Sequence, residues 1–117
     1  MKIMKSAEDY LEAVLMITER QGYCRAGDVA AELGITKPSV SVAVKRLREN
    51  GYLSLVDNSH IRLTDSGREI AERIYERHRV LTKILISLGV DEKIAAEDAC
   101  KMEHDICDET FAAIKRY

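Results

Sequence analysis

The sequence lacks the features that mark membrane and secreted proteins. It has no apolar stretch near the roughly 18 residues that a membrane-spanning helix requires. Residues 1–5 lead directly into a charged segment and contain no hydrophobic core of a secretion signal. Low-complexity segments and internal repeats are also absent. These absences exclude a transmembrane segment and predict a cytoplasmic protein.

Cysteine is scarce, and the usual motifs of small enzymes are missing. Cys24, Cys100 and Cys107 are an odd number of thiols without the spacing of a disulfide framework, so we expect them to be reduced. The sequence has no Gly-rich phosphate loop, no nucleophile motif and no obvious general base beside an open metal position. A small metalloenzyme is therefore a weak alternative, and we do not expect an enzyme.

What the chain does have is an uneven distribution of charge. Its 117 residues are 46% hydrophobic and 32% charged, enough for one core or two small joined ones. Residues 36–50 contain four basic and one acidic side chain, a net charge of +3, whereas residues 90–110 contain two basic and eight acidic ones, a net charge of −6. A local basic patch can bind phosphates, and a dense acidic patch attracts cations. The alternative is that both are solvated helix faces.

Apolar periodicity and capping residues predict a mainly α-helical fold. Thr36 is a good N-cap, and the only proline, Pro38, stands in the first turn of the helix that follows. That helix has an apolar face of Val40, Val44 and Leu47. The predicted helices cover residues 6–21, 26–33, 37–50, 65–88, 91–103 and 107–116, and the predicted strands cover 52–56 and 60–64, joined by a turn at 57–59.

Two short helices joined by residues 34–36 and followed by a hairpin predict a winged helix-turn-helix over residues 1–64. Its third helix would enter the DNA major groove with its N-terminal end. Polar side chains there can bind phosphates or bases, and Val42 can contact a thymine methyl group. The alternative is a protein-interaction module in which the hydroxyls only cap the helix. The predicted DNA-binding residues are Arg25, Thr36, Lys37, Pro38, Ser39, Ser41, Val42, Lys45, Arg46 and Arg62.

A metal-binding pattern follows the wing. Cys100, Glu103 and His104 stand at positions i, i+3 and i+4, a spacing that on a helix places a thiol, a carboxylate and an imidazole on one face. All three groups bind divalent metals. Taken alone, a cysteine is more often a small buried hydrophobe than a ligand. In conjunction with the winged helix, the triplet predicts a metal-controlled DNA-binding protein.

Two other places in the sequence could contribute ligands. Asp9 and Glu12 stand at i and i+3, so their carboxylates share a helix face. His78 lies in the middle of the long helix, between two arginines. Each residue also has an ordinary explanation: Asp9 complements the helix dipole, Glu12 is a solvated acid, and His78 is a surface or satisfied histidine.

Several motifs together resemble the iron- and manganese-dependent repressor family, that of the diphtheria toxin repressor and the manganese transport regulator. They are residues 7–12 (AEDYLE), 38–41 (PSVS), 63–67 (LTDSG), 77–79 (RHR) and 100–104 (CKMEH). The resemblance covers essentially the whole chain. It implies a homodimer that binds operator DNA when loaded with metal and represses uptake genes, with residues 65–117 as a helical metal-binding and dimerisation domain. The implied metal ligands are Asp9, Glu12, His78, Cys100, Glu103 and His104.

The chain combines features of two branches of that family. Asp9 and Glu12 match the manganese type. Cys100 matches the iron type, whereas the manganese type has a glutamate at this position. Thr82 and Ala96 stand where the iron type places further ligands, so an iron-type second site is not expected. The resemblance is to a short form without the SH3-like C-terminal domain.

Ligand chemistry gives a metal preference. Carboxylates favour Mn²⁺, while a thiolate shifts preference toward Fe²⁺, Co²⁺ or Zn²⁺. We expect Fe²⁺, with Mn²⁺ close behind, and Co²⁺, Ni²⁺ or Zn²⁺ as substitutes in vitro. We expect the dimer surface to include Leu85, Ile94 and Phe111. The alternatives are a winged-helix regulator that responds to a non-metal or redox signal, and a dimerisation or adaptor domain without DNA affinity.

Overall fold

The computed structural model describes residues 5–117, apart from the side chain of residue 5. The expectation about a secretion signal falls almost wholly on residues 1–4, outside this range. The described chain forms six helices and one two-stranded sheet, so the predicted mainly α-helical class is confirmed. The elements are α1 Lys5–Gln21, α2 Ala26–Leu33, α3 Lys37–Glu49, β1 Leu53–Val56, β2 His60–Leu63, α4 Asp65–Ser87, α5 Glu92–Met102 and α6 Asp108–Arg116. They form two compact units, which divide within α4 after Glu72.

The turn between α2 and α3 is specified locally. Gly34 ends α2 in the left-handed conformation (φ 67°), which glycine adopts at little cost. The N–H of Ile35 then donates to the carbonyl of Ala30 at 3.0 Å. Thr36 begins α3 by accepting a hydrogen bond from the backbone N–H of Ser39. The predicted inward face of α3 is confirmed by the burial of Val40, Val44 and Leu47.

The wing is a tight antiparallel hairpin. Leu53 pairs with Leu63 at its base and Val56 pairs with His60 at its tip. The two central turn residues, at positions 57 and 58, both have positive φ (53° and 57°), and Ser59 N–H donates to Val56 O at 3.3 Å. This is a type I′ turn, whose twist matches that of the flanking strands.

The start of α4 is fixed to the chain before the wing. The hydroxyl of Thr64 donates to the carbonyl of Gly51 at 2.7 Å and accepts from the N–H of Gly67 at 3.1 Å, so Thr64 caps α4. A Cβ at position 67 would lie only 2.0 Å from the carbonyl oxygen of Tyr52. The motif at residues 63–67 therefore caps α4 and allows its first turn to lie close to the backbone of Tyr52.

The core of the first unit lies between the helix-turn-helix and the wing. Helix α1 packs against α2, α3 and β2, and α3 packs against β1. Burying these apolar side chains stabilises the unit by roughly 1.5–3 kcal/mol for each large one. Its buried members include Leu11, Val14, Leu15, Ile17, Val29, Val40, Leu47, Leu53 and Ile61.

The second unit has a small core that includes two charged side chains. Ile74 and Leu81 of α4 are buried, as are Ala95 and Ala99 of α5, together with Arg77 and Glu103. Phe111 is also buried, with the Arg77 guanidinium 5.3 Å from its ring centroid. The ring of Phe111 is therefore not an exposed apolar surface, as the prediction that it contributes to a dimer surface requires. Among the described residues, no helix is long and apolar enough to cross a membrane.

Candidate nucleic-acid interface and metal centre

The predicted DNA-binding residues form an exposed set around the N-terminal end of α3. All ten of them are exposed, including Arg25 before α2 and Arg62 on β2. Five of the ten lie in the first two turns after the Thr36 cap, and Lys45 and Arg46 follow further along α3. The surface therefore combines basic side chains for phosphates with small polar ones for bases.

The N-terminal end of α3 carries two kinds of group. The hydroxyls of Thr36 and Ser39 lie 2.9 Å apart and hydrogen-bond to each other. Val42 is 64% exposed although it is apolar, and no core position explains its side chain. An exposed valine beside hydroxyls suits contact with a thymine methyl group. The roles of these residues toward DNA stay predictions.

In the second unit, four predicted ligands meet around one carboxylate. His78 Nδ1 lies 2.9 Å from Glu103 Oε2, and His104 Nε2 lies 3.4 Å from Glu103 Oε1. Cys100 Sγ lies within 4.8 Å of an oxygen of the same carboxylate. The structure thus brings together His78, Cys100, Glu103 and His104, which we call the Glu103 cluster.

The Cys100–His104 motif is not wholly helical, contrary to the prediction of a helix over 91–103. Helix α5 ends at Met102, Glu103 is its C-cap, and His104 lies in the turn that follows. Cys100 is exposed, whereas the Glu103 side chain is 0% exposed and that of His104 is 2% exposed. The turn after Met102 takes the carboxylate and the imidazole inward, while the thiol stays accessible.

The Glu103 cluster fits a divalent cation. Burying a carboxylate is costly unless hydrogen bonds or a cation compensate it. Glu103 Oε2 pairs with His78, but no described residue donates a hydrogen bond to Glu103 Oε1. A carboxylate, two imidazoles and a thiol are the donors that first-row divalent metals use in proteins.

Arg77 fixes the position of this cluster, a role that no motif in the sequence predicts. Its Nη1 donates to the carbonyl of Glu103 at 3.0 Å and to that of Ile106 at 2.6 Å. Its Nη2 pairs with the carboxylate of Asp108. Adjacent residues of α4 therefore contact Glu103 twice: Arg77 binds its backbone and His78 its side chain. The only indication in the sequence was that Arg77 precedes the predicted ligand His78.

Asp9 and Glu12, the other two predicted ligands, lie in the first unit. Both are on α1, one turn apart, so their carboxylates project from neighbouring positions on one side of the helix. Glu12 is 7% exposed and Asp9 is half-buried. A buried glutamate on α1 does not fit the alternative of a solvated surface acid.

The other two cysteines are not part of the Glu103 cluster. Cys24 is buried in the first unit, and this burial, with a smaller effect of Asp28, raises the pKa of its thiol to about 12. Cys107 is exposed and caps α6, where hydrogen bonds with Thr110 lower the pKa of its thiol. Cys100 is therefore the one thiol placed to act as a ligand.

Comparison with known proteins identifies two domains, whose boundary lies before α4. Residues 2–61 match the model of the iron-dependent repressor N-terminal DNA-binding domain. Residues 64–117 match the model of the iron-dependent repressor metal-binding and dimerisation domain. The chain belongs to the iron-dependent repressor family. Membership in this family makes it a metal-dependent DNA-binding transcriptional regulator, and the expectation that it is not an enzyme is confirmed.

Relatives within the family support this assignment. The chain is 34% identical over 110 residues to the transcriptional regulator MntR of Escherichia coli, covering 94% of this chain and 71% of that one. It is 36% identical over 113 residues to an HTH-type transcriptional regulator of Methanocaldococcus jannaschii, covering 95% and 90%. A solved manganese-dependent transcriptional repressor in complex with manganese has a TM-score of 0.85 at 28% identity, with 94% of this chain and 51% of that chain covered. The chain thus spans about half the length of that structure.

Proposed function

We propose that the chain is a repressor of metal-ion homeostasis genes that binds operator DNA as a homodimer when loaded with Fe²⁺ or Mn²⁺. The observation that carries this proposal is the Glu103 cluster. A fully buried carboxylate lies between two imidazoles, near a thiol, and one of its oxygens receives no hydrogen bond from residues 5–117. A bound divalent cation supplies the positive charge that this carboxylate needs.

We propose that six side chains bind the metal: Asp9, Glu12, His78, Cys100, Glu103 and His104. The Glu103 cluster provides four of them from the second unit. The donor chemistry of Asp9 and Glu12 and the burial of Glu12 support adding two carboxylates from α1. Binding of an ion by these side chains would favour one spacing of the two recognition helices in a dimer. For binding to successive major grooves, that spacing is roughly 34–36 Å.

The carboxylates favour Mn²⁺, whereas the thiol favours softer ions such as Fe²⁺. We therefore propose Fe²⁺ as the activating ion and Mn²⁺ as an effective substitute. The ion can shift DNA affinity only by its differential affinity for the DNA-binding arrangement, typically ~1–3 kcal/mol. Operator affinity should therefore rise by about 5- to 150-fold on metal loading.

Operator binding with and without metal tests the proposal. The probe is a fluorescent duplex selected by the wild-type protein from a random library in the presence of Mn²⁺. We expect Fe²⁺ (without oxygen) and Mn²⁺ to stimulate binding by the wild type but not by Glu103→Gln or His104→Ala. Glu97→Gln is the matched control, because Glu97 is an exposed acid on α5, the helix that precedes Glu103 and His104. Undiminished stimulation in both cluster variants would contradict the proposed site.

A double-mutant cycle tests whether α1 contributes to the same ion. Glu12→Gln and Glu103→Gln should each weaken Mn²⁺ binding, measured by calorimetry. If both carboxylates bind one ion, the double variant should lose less affinity than the two single losses added together. Strict additivity would instead indicate that Glu12 acts independently of the Glu103 cluster.

A further inference from the structure

Three side chains form a cluster where the α1–α2 loop meets the wing. Arg25 Nε lies 3.4 Å from His60 Nε2, and the Arg25 guanidinium carbon lies 5.4 Å from the centroid of the Tyr23 ring. The Tyr23 and His60 rings contact each other edge to face, with centroids 5.8 Å apart and an interplanar angle of 78°. Arg25 is therefore held at one edge by an imidazole and over one face by a phenol ring.

The backbone beneath this cluster is fixed as well. The N–H of Ile61 on β2 donates to the carbonyl of Cys24 at 2.7 Å, which ties the loop to the wing. The N–H of Arg25 donates to the carboxylate of Asp28 at 3.0 Å, as expected of the N-cap residue of α2. The position of the Arg25 backbone is thus set from the strand and from the helix.

The outer edge of the guanidinium is left available. Its Nε–H is directed at His60, while no described residue accepts a hydrogen bond from either Nη group, and the side chain is exposed. The two Nη groups can bind a phosphate through paired hydrogen bonds. An exposed arginine ordinarily loses rotamer freedom on binding, and the contacts with Tyr23 and His60 reduce that loss beforehand.

We propose that Tyr23 and His60 are positioning residues that hold Arg25 for a contact with the DNA phosphate backbone. The inference rests on the DNA-binding role proposed above. It adds that the wing tip contributes to DNA affinity through His60, a residue that need not touch DNA. Arg25 is the phosphate-binding residue, and the other two act through it.

The test is the salt dependence of binding to a fluorescent duplex of arbitrary sequence with saturating Mn²⁺, because phosphate contacts are independent of sequence. Arg25→Gln should reduce the slope of log K against log [NaCl] by about 0.9, the loss of one phosphate contact. His60→Ala and Tyr23→Leu should lower affinity about three- to tenfold at fixed salt. Arg116→Gln, which removes an exposed charge from α6, is the control for a general charge effect and should change neither quantity.

A double variant tests whether His60 acts by positioning Arg25 or contributes to DNA affinity independently of it. Arg25→Gln combined with His60→Ala should bind no more weakly than Arg25→Gln alone, since His60 then has nothing to position. His60→Gln, whose amide oxygen can still accept from Nε, and Tyr23→Phe, which keeps the ring, should restore most of the affinity. Thermal unfolding of each variant checks that the fold persists.

Three results would overturn the inference: an unchanged salt slope in Arg25→Gln, additive losses in the double variant, or wild-type affinity in both His60→Ala and Tyr23→Leu. If the wild type binds the duplex equally with and without Mn²⁺, the proposed control of DNA binding by metal is refuted. The comparison of the Arg25, His60 and Tyr23 variants would still decide this inference. A wild type without duplex affinity at any salt concentration would refute both proposals.

Discussion

Cys100 is exposed whereas Glu103 and His104 are almost fully buried, so the donor atom at position 100 can be changed without repacking the core. We expect Cys100→Glu to replace a soft donor by a hard one and to raise the ratio of Mn²⁺ to Zn²⁺ affinity by at least about tenfold. Competition with a fluorescent chelator measures both affinities. Cys107→Ser is the control, because Cys107 is an exposed thiol outside the cluster. An unchanged ratio in Cys100→Glu would show that position 100 does not bind the ion.

Arg77 is the residue on which the geometry of the second unit depends most. Arg77→Met keeps the aliphatic stem but removes the hydrogen bonds to the carbonyls of Glu103 and Ile106. We expect the free energy of unfolding of the metal-free protein to fall by about 2–4 kcal/mol. Urea denaturation gives this value.

Asp108→Asn distinguishes the ion pair of Arg77 from its hydrogen bonds to backbone carbonyls. The Asp108 side chain is 82% exposed, so its ion pair is screened by solvent and should contribute less than about 1 kcal/mol. A small effect in Asp108→Asn beside a large one in Arg77→Met would locate the stabilisation in the carbonyl contacts. Equal effects would place it in the ion pair instead.

Only part of the Glu103 cluster could be predicted from the sequence. The donor types and spacing of Cys100, Glu103 and His104 were visible, because they lie within five residues of each other. The full burial of Glu103 and the contacts of Arg77 were not, because they depend on how α4 packs against the turn that follows α5. Tertiary contacts of this kind have no local pattern.

Among the elements, α4 depends on an unusually close contact at its first turn. In an exposed helix, replacing glycine by alanine ordinarily stabilises by roughly 0.5–1 kcal/mol. At position 67 the added methyl would meet the carbonyl of Tyr52. We therefore expect Gly67→Ala to destabilise the protein by about 1–3 kcal/mol in thermal unfolding. The neighbouring exposed Ser66 should tolerate alanine within about 0.5 kcal/mol, and an equal tolerance at Gly67 would contradict the contact.

The boundaries of most elements could be predicted because their stop and start residues act locally. Gly34 ends α2 in a left-handed conformation, Thr36 caps α3, and Asp91 caps α5 by accepting from two backbone N–H groups. The turn of the wing likewise follows from Asp57 and Asn58, which tolerate positive φ. The end of α5 was predicted one residue late, since Glu103 keeps helical backbone angles as the C-cap.

For the whole molecule, the uneven charge divides between the units as the two proposed activities require. The basic side chains of α3 are exposed in the first unit, and the second unit, which contains the Glu103 cluster, exposes most of the acidic residues after Val90. A chain with a net charge of only −2 can therefore bind both a polyanion and a cation, because each partner meets a local charge rather than the average.

The second unit also exposes apolar side chains that a soluble monomer would not be expected to carry together. Leu88 is 73% exposed and Ile94 is 51% exposed, and Ile86 and Met102 are exposed as well. Ile94 was expected in the dimer surface from the sequence and is exposed, whereas Phe111 is buried. We propose that Leu88 and Ile94 contribute to the interface of the homodimer, because apolar side chains this exposed are commonly covered by a partner.

We expect Leu88→Asp combined with Ile94→Asp to convert the homodimer to a monomer, because a charge buried at an apolar interface is strongly unfavourable. Sedimentation velocity at micromolar protein measures the change, and operator affinity should fall with it because two half-sites are no longer bound together. Val42→Asp is the matched control: it places the same charge on an exposed apolar residue of α3, so it should weaken DNA binding and leave the dimer intact. A double variant that stays dimeric would move the interface to another surface of the chain, while a monomeric Val42→Asp would place the interface on the recognition helix and argue against its role in reading DNA.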